Sequence, residues 1–197
     1  FLDIGTNEKV MLHIKDLVPK LDNVKGNEEV NLNNIELKDY LKVNDNIIVQ
    51  IKKDSDPHKG AKATTDIKLI GKYVIFLPYD NYVTFSSKIT DINIREKLKE
   101  AISKIELNNS GLIFRTASEN VEKEEIENEV LMLQSYWQRI LESLNLKDSK
   151  DKKSIKICGH NLEPGILMDY RGIIGKLILD LIPLGIDLYA ANEESKE

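Results

Sequence analysis

Apolar residues in the first third of the chain occur in short runs that polar turns separate. These runs predict strands at residues 1–5, 10–14, 47–51 and 63–69. The polar segments between them are a turn at residues 6–9, a long loop at residues 20–34 and a turn at residues 54–60. Several short strands with turns at this spacing are typical of a small β-barrel.

From residue 68 onward the pattern changes to strands and amphipathic helices. Strands are predicted at residues 73–77, 83–89 and 111–114. Asn93 with Glu96 three residues later fits a capping box, and apolar residues follow at helical spacing. A longer apolar stripe runs from Ile126 through Trp137 to Leu144 and predicts a second helix, with the tryptophan in the core. The fold class predicted from this pattern is α+β.

The last quarter of the chain is less regular. Residues 146–156 are rich in charge and predict a linker or an exposed loop. The tail contains one predicted helix near residues 170–181 and one predicted strand near residues 185–190. Two elements cannot bury a core of their own, so the tail is expected to dock on another part of the protein.

Composition excludes several classes of protein. The chain has 197 residues, of which 41% are hydrophobic and 31% are charged, so a disordered chain is excluded. It has no long apolar run, no signal peptide is expected because the first ten residues mix charge and polarity, and the single Cys158 excludes an internal disulfide framework. A cytoplasmic location is therefore expected. The net charge of −5 argues against a protein that coats nucleic acid indiscriminately.

The strand at residues 111–114 ends on a pair of residues suited to an anion. Arg115 offers a planar fork of donors that matches phosphate oxygens, and Thr116 adds a neutral hydroxyl. This pair predicts an anion clamp at a strand end.

Three residues of the first part are candidates for contact with nucleic acid. Lys59 lies in a turn with further lysines on both sides and could follow a phosphate backbone, although composition alone favours a solvated hairpin. Phe1 and Met11 could lie side by side on adjacent strands and stack bases. Apolar strand residues are mostly buried, so spacing alone favours a core position for both.

The remaining titratable residues give no sign of a catalytic or metal site. His13 is expected to be partly buried and hydrogen-bonded, and Cys158 with His160 is a weak metal motif. The acidic run of the second helix is typical of a solvated face. It consists of Glu122, Glu124, Glu125, Glu127 and Glu129.

Taken together, the ordered motifs FLDIG, MLHIKDL, KGAKATTDIKLIGKYVIFLP, SSKITD and GLIFRTASEN resemble the ribonuclease E/G family of bacterial endoribonucleases. The resemblance covers about residues 1–141, with a weaker match in the tail. It implies an OB-type barrel of the kind found in ribosomal protein S-one at residues 1–67, lacking the first strand. It further implies a 5′-sensor subdomain at residues 68–145, a charged linker at 146–163 and part of an RNase H-like subdomain at 164–197.

The resemblance also assigns roles to particular residues. Phe1 takes the place of a base-stacking aromatic, Met11 replaces a second aromatic, and Lys59 matches a lysine that contacts RNA. In the sensor, the residues that match the 5′-monophosphate pocket are Arg115, Thr116, Gly71 and Ile75. An arginine that stacks on the terminal base in the family is replaced by Ser87, which leaves the neighbouring Lys88 as the substitute.

For the whole protein the resemblance implies an endoribonuclease of RNA processing and mRNA decay that uses Mg²⁺ held by two aspartates in a later subdomain. That subdomain is expected to be absent from this chain, so the chain is expected to bind RNA without cutting it. The implied partner is single-stranded RNA, preferentially 5′-monophosphorylated, and the full-length protein could form a homo-oligomer. Two alternatives are a non-catalytic OB-fold RNA-binding adaptor and, less favoured, a protein-interaction scaffold.

Overall fold

The computed structural model describes residues 1–17 (without 6 and 8), 38, 40–55, 58–144 and 167. The chain divides into two compact units, Phe1–Gly165 and Ile166–Glu197. The predicted loop at residues 20–34, the linker at 146–163 and the elements of the tail lie outside the described residues.

The first sheet contains four short strands. They are β1 (Leu2–Asp3), β2 (Lys9–Leu12), β3 (Gln50–Lys53) and β4 (Lys62–Thr64), in the order β1-β2-β4-β3. Strand β2 runs parallel to β4, and the other two pairs are antiparallel. The small hydrophobic core of this sheet is formed by Val10, Ala61 and Ala63. The chain combines strands with α-helices, which confirms the α+β class. Among the described residues this sheet is open, so the predicted barrel is not confirmed.

The second sheet also has four strands and carries both α-helices of the described residues. The strands are β5 (Leu69–Ile70), β6 (Val74–Leu77), β7 (Val83–Phe85) and β8 (Gly111–Phe114), in the order β5-β6-β8-β7. Helix α1 (Ile92–Ala101) connects β7 to its parallel neighbour β8, and helix α2 (Lys123–Ser143) follows β8. Neither helix is long and apolar enough to span a membrane.

One face of the second sheet forms the main core. Alternate residues on β6 and β8, including Phe76 and Phe114, are buried on this face, and helix α2 packs against β6. The buried stripe of α2 consists of Ile126, Val130, Leu133, Trp137, Ile140 and Leu141. Trp137 meets Tyr79 edge to face, with ring centroids 5.5 Å apart. The prediction that this tryptophan belongs to the core is confirmed.

Three local predictions are corrected. The N-cap of α1 is Asp91, whose carboxylate accepts from the backbone N–H of Asn93 at 2.8 Å, so the capping box expected at Asn93 is wrong. The strand predicted at residues 47–51 lies at Gln50–Lys53, because pairing with β4 decides its position. The strand predicted at 63–69 is divided between β4 and β5.

A close approach of two backbone segments explains the glycine at the start of β8. Gly111 is buried, and a Cβ atom there would overlap the carbonyl oxygen of Tyr82 and lie 3.2 Å from its nitrogen. The backbone of Tyr82 also accepts from Leu112 at 3.0 Å. The glycine therefore lets β7 and β8 lie side by side up to their first residues.

Candidate phosphate-binding site

The site begins where two parallel strands end at the same edge of the second sheet. Phe85 of β7 is the register partner of Phe114 of β8, and the N–H of Ser86 donates to the carbonyl of Phe114 at 2.7 Å. The turn that follows β7 therefore lies beside Arg115.

Arg115 is half-buried and is held at both its main chain and its side chain. Its backbone N–H donates to the carbonyl of Tyr73 at 2.8 Å, and its Nη1 donates to the carbonyl of Gly71. Arginine has five N–H donors, so the guanidinium can bind a carbonyl and an anion at once. Thr116, the next residue, is exposed at the start of a 3₁₀ turn.

The carbonyl that receives Arg115 belongs to a tight turn between β5 and β6, closed by a bond from Gly71 N to Val74 O at 2.9 Å. Glu129 of α2 binds this turn from the other side. Its carboxylate accepts from the backbone N–H of Lys72 at 2.6 Å, of Tyr73 at 2.7 Å and of Val74 at 2.8 Å. Such charge-assisted bonds are stronger than bonds between neutral groups.

Gly71 is required by this arrangement. A Cβ atom at residue 71 would lie 2.6 Å from Oε2 and 2.9 Å from Oε1 of Glu129. The space of the missing side chain is therefore taken by the carboxylate of α2. Any larger residue would have to displace that carboxylate.

A second carboxylate fixes the aromatic residue of the same turn. The hydroxyl of Tyr73 donates to Glu125 at 2.7 Å, one helical turn before Glu129. Burial raises the pKa of the Tyr73 hydroxyl to about 12, and the bond to Glu125 adds to the shift. The hydroxyl therefore stays a proton donor across the physiological pH range.

The other predicted sensor residues lie around this turn. Ile75 is half-buried and pairs with Ile70 and Ile113 on the face of the sheet opposite the main core. The backbone of Arg115 is extended, so its side chain is on the same face of the sheet as that of Ile113, two residues earlier. Lys88 is exposed in the turn after β7, with its N–H 3.4 Å from the hydroxyl of Ser86. The structure thus brings the turn at Gly71, Ile75 and Arg115 together and leaves Lys88 on the neighbouring turn.

Phe85, at the end of β7, is surrounded by partners that the sequence pattern does not reveal. It stacks on Phe114 with a centroid distance of 5.2 Å and an interplanar angle of 15°. The guanidinium carbon of Arg95 lies 5.4 Å from its centroid, and Nζ of Lys99 lies 5.9 Å away. Arg95 also donates to the carbonyl of Ile89 at 2.8 Å, which fixes the turn that carries Lys88.

The first sheet contains the three candidates for contact with an RNA strand. The pair Leu2 and Val10 places Phe1 opposite Met11 at the next position of the register. Phe1 is 85% exposed, so the interpretation of this residue as core is wrong, whereas Met11 is half-buried. Lys59 is exposed two residues before Ala61, whose carbonyl accepts from Met11 at 2.9 Å.

The titratable residues discounted from sequence also have defined places. His13 is exposed, contrary to expectation, and its Nδ1 accepts from the N–H of Lys15 at 3.1 Å. Cys158 and His160 lie outside the described residues. Within the described part of the chain, no group of three or more His, Cys, Asp or Glu residues could hold a metal ion.

Glu125 and Glu129 are the site residues that sequence reasoning missed. The acidic run was expected to be solvated, and this is wrong for Glu129, which is half-buried against the turn. The available signal is positional: the two glutamates are four residues apart and each directly precedes a residue of the buried stripe, Ile126 or Val130.

Comparison with known proteins identifies the class to which this fold and site belong. The family model described as Ribonuclease E/G family matches residues 68–182, which is more than half of the chain. The chain therefore belongs to the Ribonuclease E/G family, as its motifs predicted.

Individual relatives agree with this assignment. Ribonuclease G of Escherichia coli (strain K12) is 31% identical over 142 residues, covering 72% of this chain and 29% of that protein. Ribonuclease G of Haemophilus influenzae is 31% identical over 173 residues, covering 87% and 34%. The Ribonuclease E/G-like protein of Porphyra purpurea is 31% identical over 181 residues, covering 91% and 31%. The chain spans between 29% and 34% of the length of these relatives.

Proposed function

We propose that this chain is the RNA-binding and 5′-monophosphate-sensing portion of an RNase E/G-type endoribonuclease that takes part in RNA processing. The observation that carries the proposal is the position of Arg115, held beside the turn at Gly71 with Thr116 exposed next to it. Membership of the Ribonuclease E/G family supports RNA as the ligand. Residues 68–145 are the proposed sensor, and residues 1–67 are the proposed OB-type domain.

A terminal monophosphate suits the chemistry of this site. Its oxygens accept charge-assisted bonds from the guanidinium of Arg115 and a neutral bond from the hydroxyl of Thr116. A 5′-hydroxyl offers neither the charge nor the acceptors. A triphosphate must fit two more charged groups beside the same donors, so recognition depends on size as well as on charge.

The first sheet provides the proposed path for the RNA that follows the 5′ end. Phe1 presents an exposed aromatic face to a base, Met11 packs beside it through its thioether, and Lys59 binds a phosphate. Such contacts tolerate any base, which suits a surface that binds single strands without reading their sequence.

No cleavage step is assigned to this chain. In the whole protein, Mg²⁺ is proposed to supply the metal-activated water that attacks the phosphodiester. The residues described in this chain are proposed to bind and orient RNA only.

Direct binding measurements test the proposal. Two fluorescent RNAs of identical sequence, one with a 5′-monophosphate and one with a 5′-hydroxyl, are titrated with the 197-residue chain. We expect the monophosphate to bind about tenfold more tightly, as one retained charge-assisted contact would give. Incubation with Mg²⁺ should leave both RNAs intact. Equal affinities would disprove end sensing, and cleavage would disprove the purely binding role.

Replacement of Lys59 separates the RNA path from the sensor. The Lys59→Ala variant is expected to weaken both RNAs alike and to reduce the salt slope of log K by about 0.7, the value for one phosphate contact on a single strand. Filter binding between low and high salt measures this slope. Lys97→Ala, an exposed lysine on α1, serves as the control. An unchanged slope in Lys59→Ala would remove Lys59 from the path.

A further inference from the structure

Two peptide groups of the turn at residues 71–74 join Glu129 to Arg115. The peptide between Gly71 and Lys72 donates its N–H to Oε1 of Glu129 at 2.6 Å, and its carbonyl accepts from the guanidinium of Arg115. The peptide between Tyr73 and Val74 donates its N–H to Oε2 of Glu129 at 2.8 Å. Its carbonyl accepts from the backbone N–H of Arg115 at 2.8 Å.

The geometry of the peptide bond makes this arrangement directional. A trans peptide is planar, and its N–H and C=O point in opposite directions. When the carboxylate of Glu129 binds the two N–H groups, the two carbonyls must point away from α2, toward Arg115. One carbonyl then holds the backbone of Arg115 and the other holds its guanidinium.

The negative charge of Glu129 also strengthens the hydrogen bonds that Arg115 makes to the two carbonyls. A carboxylate bound to an amide N–H polarises that peptide, so its carbonyl becomes a better acceptor. The carbonyls of Gly71 and Tyr73 each lie in such a chain of two hydrogen bonds. Arg115 is therefore held by acceptors whose strength depends on the negative charge of Glu129, although Glu129 follows the turn by more than 50 residues in sequence.

We propose that Glu129 is a positioning residue of the 5′-phosphate sensor, which fixes the direction of the Arg115 guanidinium through these two peptide groups. The proposal rests on the proposed function. Because the N–H groups of Lys72, Tyr73 and Val74 are occupied by Glu129, they are withheld from the phosphate. The anion is left to the guanidinium and to Thr116.

A double-mutant cycle with Arg115 tests the proposal. The wild type is measured first with the 5′-monophosphate and 5′-hydroxyl RNAs, because a wild type without preference would defeat the proposed function and this inference with it. We expect Glu129→Ala to reduce the preference about tenfold, the effect of one misplaced charge-assisted contact, with affinity for the 5′-hydroxyl RNA unchanged. In an Arg115→Ala background the same change should have no further effect, because Glu129 acts through Arg115.

Two further variants exclude a merely structural effect. Glu129→Gln keeps one acceptor oxygen and the shape of the side chain, and should reduce the preference less than Glu129→Ala. Gly71→Ala keeps Glu129 but places a Cβ 2.6 Å from its Oε2, so it should displace the carboxylate and mimic Glu129→Ala. Glu124→Ala, an exposed glutamate of the same helix, is the matched control. Thermal melting of each variant reports folding separately.

The outcomes are distinct. A folded Glu129→Ala variant with the wild-type preference would overturn the proposal. A full additional loss in the Arg115→Ala background would also overturn it, since Glu129 would then act independently of Arg115. If Glu129→Ala does not fold, Glu129→Gln and Gly71→Ala decide by the same criterion. Wild-type preference in both of these, with normal melting, would overturn the proposal.

Discussion

Replacement of Arg115 by alanine is expected to remove most of the preference for a 5′-monophosphate while leaving affinity for a 5′-hydroxyl RNA nearly unchanged. The guanidinium is fixed beside the turn at Gly71 through its Nη1, and the backbone N–H of the same residue is fixed there too. Loss of a charge-assisted phosphate contact costs at least about 1.5 kcal/mol, roughly tenfold in affinity, which is enough to remove the tenfold preference expected of the wild type. Fluorescence titration of the two RNAs measures the ratio directly.

Two other arginine variants define what the site requires. Arg115→Lys keeps the charge but loses the planar fork, so an intermediate preference is expected. Arg139→Ala removes an exposed arginine of α2 whose guanidinium carbon lies 5.9 Å from the ring centroid of Tyr136, and it should behave as the wild type. If Arg115→Ala keeps the full preference, the assignment of the clamp is wrong.

Replacement of Phe114 by alanine should lower the free energy of unfolding by about 3–5 kcal/mol, because it opens a cavity in the main core. Phe114 is fully buried and stacks on Phe85 with centroids 5.2 Å apart. Urea unfolding followed by the fluorescence of Trp137, the single tryptophan of the chain, reports on this core. The midpoint should fall with little change in the slope.

Phe1→Ala is the matched control for this measurement. It makes the same chemical change at a side chain that is 85% exposed, so the free energy of unfolding should change by less than about 0.5 kcal/mol. A loss below about 1 kcal/mol in Phe114→Ala would mean that the core between the second sheet and its helices collapses around the gap.

The elements with strong periodicity could be predicted from sequence, and those set by pairing could not. The stripe from Ile126 to Leu144 identifies α2 because burial repeats with the helical period. The start of α1 was misplaced because Asp91 and Asn93 are both good caps, and only the structure shows that Asp91 accepts the bond. Strand β3 lies at Gln50–Lys53 and not at the predicted residues 47–51, because its position depends on pairing with β4.

The candidate site was predictable in part for a similar reason. Arg115 and Thr116 stand out because a strand that ends on such a pair is a local signal. Glu129 gives only a weak positional signal, its place directly before Val130 of the buried stripe. Because five glutamates lie within eight residues, the sequence does not show which of them meets the turn. Its three bonds join residues 55–57 positions apart, and contacts at that separation are set by tertiary packing.

Helix α2 is held to the second sheet by two chemically different sets of residues on one side. The apolar stripe packs on the core, and Glu125 and Glu129 bind the turn between β5 and β6. A residue added or deleted inside α2 between Glu129 and Trp137 would rotate the two parts of the helix by about 100° relative to each other, so the glutamates and the rest of the apolar stripe could no longer face the sheet together. The register of α2 is therefore constrained by the chemistry at Arg115, and insertions should be tolerated in exposed loops before they are tolerated inside this helix.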